Sequence, residues 1–143
     1  MTTRSIPLTA LPASAAMHIT VPMPMNISNG SHSHHMVRHK QKLAYWKALD
    51  MLQAGGLIPK PPRKPLDGIA LDSVMHLARQ MDVDNAMRRH KWVMDWLKTR
   101  GYIVDDSPKH LRWLSFPEQR VKRDGNYIIE LTLQRLHPIP EHP

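Results

Sequence analysis

The stretch MDVDNAMRRHKWVMDWLKTRG, residues 81–101, contains the clearest helical pattern in the chain and carries acidic side chains at its start. Apolar residues recur at helical spacing between Asn85 and Arg100, and Gly101 follows the last of them. Asp84 stands just before this segment and can cap its amino-terminal end. The apolar stripe consists of Ala86, His90, Val93 and Leu97, widened by Met87 and Met94. The pattern predicts one continuous helix with one face against a core.

A second amphipathic helix is predicted upstream, from Met36 to Leu52. Its apolar residues recur on one side, cations cover much of the remaining surface, and Gly55 and Gly56 end it. The apolar positions are Leu43, Trp46, Leu49 or Met51, and Leu52; the cations are Arg38, Lys40, Lys42 and Lys47.

Several segments around the helices have strand patterns. Residues 17–26, MHITVPMPMN, alternate apolar and polar side chains until the prolines end the strand, and residues 126–136, NYIIELTLQRL, form a convincing strand after the hairpin-type turn RDGN. Residues 66–80, LDGIALDSVMHLARQ, fit a helix and a strand almost equally well. Shorter apolar candidates are YIV (102–104) and HLRWLSF (110–116). The order of elements predicts a small single domain of the α/β (α+β) class.

The domain boundaries follow from composition. Residues 1–16 are mostly Pro, Ser, Thr and Ala, which predicts a disordered N-terminal tail. The domain is expected to span residues 17–136, with a basic, Pro-rich loop at 55–66 and a C-terminal tail at 137–143.

Charge and composition limit the classes of partner. The 143-residue chain has a net charge of +8, which favours a polyanion as partner. It has no cysteine, so disulfides and Cys-based zinc sites are excluded, as suits a reducing cytoplasm. No apolar run approaches the ~20 residues that a membrane-spanning helix needs, and no membrane partner is expected.

Two acidic pairs flank the helix that is predicted between Asn85 and Arg100. Asp82 and Asp84 precede it, and Asp105 and Asp106 follow the short apolar segment after Gly101. A helix of about 16 residues spans roughly 24 Å, so the pairs meet only if the chain turns back across the domain. Taken singly, such pairs are also typical of caps, turns and solvated surface.

Carboxylates gathered in one small volume repel one another, and a divalent cation removes that repulsion. Mg²⁺ binds through one or two carboxylates with water and substrate phosphate, and it activates water for attack on a phosphodiester. Arg88 and Lys91, four and seven positions after Asp84, share its helical face and can neutralise charge that develops at such a site. The alternative is a solvated face on which Lys91 pairs with Asp95.

Several segments together resemble the RusA family of Holliday junction endodeoxyribonucleases of phages and prophages, over about residues 17–136. The strongest are MDVDN (81–85), the spacing Lys91-x3-Asp95-x-Leu97, and GYIVDD (101–106). The others are VPMPMN (21–26), the basic helix segment HHMVRHKQKLAYWKAL (34–49) and YIIELTLQRL (127–136).

The resemblance implies a mixed sheet with two main helices packed on it, in a homodimer that nicks four-way DNA junctions with Mg²⁺ or Mn²⁺. It implies that Asp82, Asp84 and Asp106 are metal ligands, that Asp105 assists and that Asn85 braces the turn. The family's catalytic lysine falls on Arg88 when counted forward from the second aspartate and on Lys91 when counted back from Gly101, so the helix is expected to carry an extra turn. The resemblance also favours a strand over residues 67–78.

Other residues have two interpretations each. The cations expected to contact DNA are Arg38, Lys40, Lys42, Lys60, Arg63, Lys64, Arg79 and Arg89. The alternative for Lys60, Arg63 and Lys64 is that they belong to an ordinary basic linker. Trp92 and Trp96 are either a stacking platform for bases or buried packing. The cluster of His32, His34, His35 and His39 is either a zinc site or a polar surface.

These features favour a metal-dependent, structure-selective DNA endonuclease that resolves four-way junctions in DNA recombination and repair, in the cytoplasm of a bacterium or of a phage host. The first alternative is a catalytically inactive DNA-binding or regulatory phage protein on the same scaffold. A virion or scaffold protein is a third, without junction preference or metal dependence.

Overall fold

The structure is a computed structural model that describes residue 6 and residues 11–24, 35–123, 125 and 127–137. Its elements, in chain order, are β1 (Leu11–Pro22), α1 (His35–Ala54), β2 (Ile69–Leu77), α2 (Val83–Arg88), α3 (Lys91–Thr99), β3 (Leu111–Trp113), β4 (Glu118–Val121) and β5 (Ile128–His137). Among the described residues, no helix is long and apolar enough to cross a membrane.

The five strands form one mixed sheet. Strand β5 lies between β1 and β2 and runs antiparallel to both. The short strands β3 and β4 pair one after the other with the opposite edge of β2, and both are parallel to it. The predicted class, α/β (α+β) with a mixed sheet and two main helices, is confirmed by α1 and α3 on this sheet.

Residues 66–80, whose sequence fits a helix and a strand almost equally well, contain the strand β2. Its alternate residues Ile69, Leu71, Ser73, Met75 and Leu77 are buried. Both edges of this strand are paired, so the sheet satisfies its backbone groups and selects the twofold period over the helical one. The expected strand over residues 67–78 is confirmed.

Three expectations about the other strands are wrong. Residues 11–16, assigned to the disordered tail, are part of β1, because pairing with β5 supplies backbone hydrogen bonds that composition does not reveal. His137, assigned to the C-terminal tail, is the last residue of β5. The other residues assigned to the two tails, 1–5, 7–10 and 138–143, lie outside the described part of the chain. The RDGN turn does not join a hairpin, because β4 and β5 lie on opposite sides of β2; its Asp124 and Asn126 are also outside the described residues.

Two short segments are only partly strand. YIV makes a single bridge, from Ile103 to Leu66, and is not a strand of the sheet. HLRWLSF contributes only the three residues of β3.

Helix α1 forms as predicted, but its buried side is rotated from the predicted stripe. Leu49 is buried, whereas Leu43 and Met51 are 48% and 67% exposed. The helix instead turns a row of polar and aromatic side chains toward α3 and the turn after it. Two of these side chains donate to α3: the Lys42 amine to Asp95 at 3.0 Å and the Trp46 indole to the Trp92 carbonyl at 2.9 Å. Asp50 accepts from Trp96 and from Arg100, at 2.9 Å each. Gln53 donates to the Tyr102 hydroxyl at 2.6 Å. These polar contacts, which a hydrophobic pattern does not register, set the rotation of α1.

The core lies between this helix layer and the sheet. It joins side chains from all the longer elements, among them Ile19, Leu49, Leu71, Val93, Trp96, Leu97, Tyr102 and Leu131, each fully buried. Ile58, in the basic loop, is also fully buried, so the loop is anchored to the core while Lys60, Arg63 and Lys64 remain exposed.

Candidate nucleic-acid cleft

The predicted continuous helix from Asn85 to Arg100 is wrong, because the helix breaks at residues 89 and 90. The His90 backbone N–H donates to the Met87 carbonyl at 3.1 Å and not to Ala86, its partner in an α-helix. The Ala86 carbonyl instead accepts from the His90 ring at Nδ1, 2.7 Å away. The side chain thus replaces the backbone donor of its own residue, and α2 ends before α3 begins.

The amino-terminal cap of α2 is Asp82, not Asp84 as predicted. An Asp82 carboxylate oxygen accepts the Asn85 backbone N–H at 2.9 Å. Asn85 is therefore part of the helix start, where the resemblance expected it to brace the turn. Because Asp82 supplies the cap, Asp84 lies in the first turn of the helix.

A cleft of about 430 Å³ opens where α2, α3 and β3 meet. Asp84 and Arg88 line it from α2, Lys91 lines it from α3, and Asp106 lines it from the segment before β3. The other lining residues are Met87, His90, Met94 and Trp113. One acid from each of the predicted pairs and both candidate cations therefore share one cleft.

The remaining two acids are engaged elsewhere. Asp82 is exposed and does not line the cleft. The Asp105 carboxylate accepts the Asp106 backbone N–H at 2.9 Å and pairs with the Lys98 amine at 3.2 Å, and these two contacts hold its pKa below its usual range. Within the described ranges, no three His, Cys, Asp or Glu side chains are grouped to hold a metal ion.

His90, which lines the cleft, forms a buried polar pair with Ser73 of β2; their exposures are 1% and 2%. The Ala86 carbonyl can only accept, so Nδ1 of His90 carries the proton, and Nε2 accepts the Ser73 hydroxyl at 2.6 Å. Burial lowers the pKa of His90 to about 4, against the weaker opposing effect of the Ala86 carbonyl. His90 is therefore neutral at pH 7.

This burial makes the stability of the protein depend on pH. His90 takes up a proton near pH 6.5 in the unfolded chain but only near pH 4 in the folded one. The unfolded state therefore binds more protons between these values, and the free energy of unfolding falls as pH drops from 6.5 to 4, by about 3 kcal/mol. Urea unfolding across this range should show the fall in the wild type and a smaller one in His90→Gln, which cannot titrate; equal slopes in both would contradict the assignment.

The cations expected to contact DNA divide into two groups. Arg89 donates to the Pro24 carbonyl at 3.0 Å and Lys42 pairs with Asp95, so both take part in contacts within the domain. Lys91 also pairs with Asp95, at 3.2 Å, but its side chain is 64% exposed and such surface pairs are weak. The remaining candidates, Arg38, Lys40, Lys60, Arg63, Lys64 and Arg79, are exposed.

The aromatic and histidine candidates have different outcomes. Trp92 and Trp96 are 9% and 0% exposed, so they pack in the core and are not a platform for bases. His35 and His39 are exposed on the first turns of α1, whereas His32 and His34 lie outside the described residues. Trp113 also lines the cleft, although no motif in the sequence marked it as a candidate site residue.

No protein-family model matches this chain, and no curated protein is significantly similar to it. The residues of the cleft are therefore the basis for assigning a function.

Proposed function

We propose that this chain is a metal-dependent, structure-selective DNA endonuclease of the RusA type, which resolves four-way junctions in recombination and repair. The observation that carries the proposal is the shared cleft, in which Asp84 and Asp106 lie with Arg88 and Lys91. Acids that can hold a metal beside bases that can hold phosphate are the combination that phosphodiester cleavage needs.

The donor set of the cleft fits magnesium or manganese. Both are hard cations that prefer oxygen ligands, and Mg²⁺ is commonly held by one or two carboxylates, with water and substrate phosphate completing the shell. Asp84 and Asp106 would provide those carboxylates. When bound, the ion would supply Lewis-acid polarisation of the phosphodiester.

The side chains of this chain contribute the rest of the site. Arg88 and Lys91 bind the phosphate and offset negative charge on the leaving oxygen. Asp82 positions Asp84 by capping α2, and Asp105 holds the Asp106 backbone. The exposed cations of α1 and of the basic loop contact the arms of the DNA through its phosphates.

The proposal includes a homodimer in the cytoplasm of a bacterium or phage host. Two symmetric strands are cut at a four-way junction, and a twofold dimer presents two copies of one site to them.

A second candidate is a DNA-binding or regulatory phage protein that does not cut. The positions of Asp82 and Asp105 favour it, because one caps a helix and the other pairs with Lys98. The cationic surface serves this function equally well.

The test is a synthetic four-way junction incubated with the purified chain in Mg²⁺, in Mn²⁺ and in EDTA, beside a linear duplex of the same sequence. We expect paired nicks near the crossover in either metal, none in EDTA, and little cutting of the duplex. Junction binding without cleavage in both metals would support the second candidate, and the absence of binding would refute both.

A further inference from the structure

Among the described residues that line the cleft, Trp113 has the largest flat aromatic ring, and it is held at the end of β3. Its backbone lies opposite Leu71 in the parallel pairing of β3 with β2, and the next residue, Leu114, donates its N–H to the Leu71 carbonyl at 2.9 Å. The indole is partly buried against the core and partly exposed. It is therefore a fixed wall of the cleft.

The ring of His90 reinforces this wall. The two rings meet edge to face, with centroids 5.2 Å apart and planes at 86°. His90 is itself held by hydrogen bonds to Ser73 and to the Ala86 carbonyl, so the indole is packed against a side chain with two anchoring contacts. Little conformational entropy remains for the indole to lose when a ligand covers its exposed part.

The cleft thus offers partners for both parts of a nucleotide. Arg88 and Lys91 are suited to a phosphate, and the indole is suited to a flat aromatic base. In a duplex each base is already stacked on its neighbours, so only an unpaired base can lie on the indole.

We infer that Trp113 stacks an unpaired nucleobase of the DNA strand whose phosphate is bound by Arg88 and Lys91. This inference rests on the proposed function and adds a requirement to it: the strand enters the cleft with one base out of the helical stack. The site therefore selects branched or melted DNA over intact duplex, independently of any shape recognition by the rest of the surface.

The experiment compares two single-stranded ligands in EDTA, by fluorescence anisotropy at fixed salt. One is an oligothymidylate of about 12 nucleotides, within the usual site size, and the other is an abasic backbone of the same length and charge. We expect the wild type to bind the oligothymidylate about 10-fold more tightly, the contribution of stacking one base. Trp113→Leu, which keeps an apolar side chain without a π face, should reduce this ratio to about one, and Trp113→Phe should retain most of it.

Phe116→Ala is the matched control. Phe116 is 67% exposed and three residues away but does not line the cleft, so its loss should leave the ratio unchanged. Far-UV circular dichroism checks that each variant is folded, and Trp113→Met, which also lacks a π face, replaces Trp113→Leu if that variant is not. A wild-type ratio of one, an unchanged ratio in Trp113→Leu, or loss of the ratio in Phe116→Ala would overturn the inference.

The outcomes separate this inference from the proposed function, because no cleavage occurs in EDTA. A chain that discriminates bases through Trp113 but never cuts a junction would retain the inference and refute the nuclease. A chain that cuts junctions but binds both ligands equally would do the reverse.

Discussion

Asp84→Asn and Asp106→Asn should each strongly reduce junction cleavage in Mg²⁺, while junction affinity in EDTA stays the same or rises because a charge that repels phosphate is removed. Each substitution keeps the size of the side chain and removes one negative charge from the cleft. A metal ion contributes several kcal/mol of charge stabilisation in such reactions, so losing one of its carboxylates should lower the cleavage rate by roughly 100-fold or more. Single-turnover cleavage of a labelled four-way junction measures the rate, and anisotropy measures the affinity.

Asp82→Asn is the matched control for these two variants. Asparagine caps a helix as well as aspartate does, so α2 keeps its start while the charge is lost. The cleft geometry predicts that Asp82→Asn retains cleavage, whereas the RusA resemblance predicts that it loses cleavage. Full activity in Asp84→Asn, with loss only in Asp82→Asn, would contradict the assignment of the cleft.

Trp96→Ala should lower the free energy of unfolding by about 3 to 5 kcal/mol, the cost of deleting a large buried aromatic side chain. Trp96 is fully buried, stacks on Tyr102 at a centroid distance of 5.2 Å and an angle of 29°, and donates its indole N–H to Asp50 at 2.9 Å. The substitution leaves a cavity and removes one of the contacts that join α1 to α3. Urea unfolding at pH 7, followed by far-UV circular dichroism, measures the change.

Phe116→Ala serves as the comparison, since an exposed ring should change the free energy of unfolding by less than about 0.5 kcal/mol. If both substitutions cost the same, the placement of Trp96 in the core would be incorrect.

Secondary structure was predictable from the sequence in those segments that fit only one hydrophobic periodicity. Helix α1 and strand β5 both form close to the expected bounds, although the buried side of α1 differs from the predicted stripe. Strand β2 fits two periods, and only its pairing on both edges separates them. The break at His90 was not predictable from spacing, because it depends on a ring that bonds to Ala86 and to Ser73, which lies in another element.

The candidate site was predictable in part for a similar reason. Asp84, Arg88, Lys91 and Asp106 belong to motifs with regular spacing, and the structure places them together. Trp113 joins them only because β3 pairs beside β2, which is a tertiary event. Asp82 and Asp84 are equally good caps by residue type, and the local backbone selects Asp82.

The pairing of β1 with β5 has a consequence for how the protein is made. Leu11 lies opposite His137, so β1 cannot pair until β5 has been synthesised. Before that point β1 has an unsatisfied edge and β2 lacks its longest neighbour. Formation of the sheet therefore depends on contacts of high sequence separation, which slows folding and prolongs the exposure of unpaired strand edges.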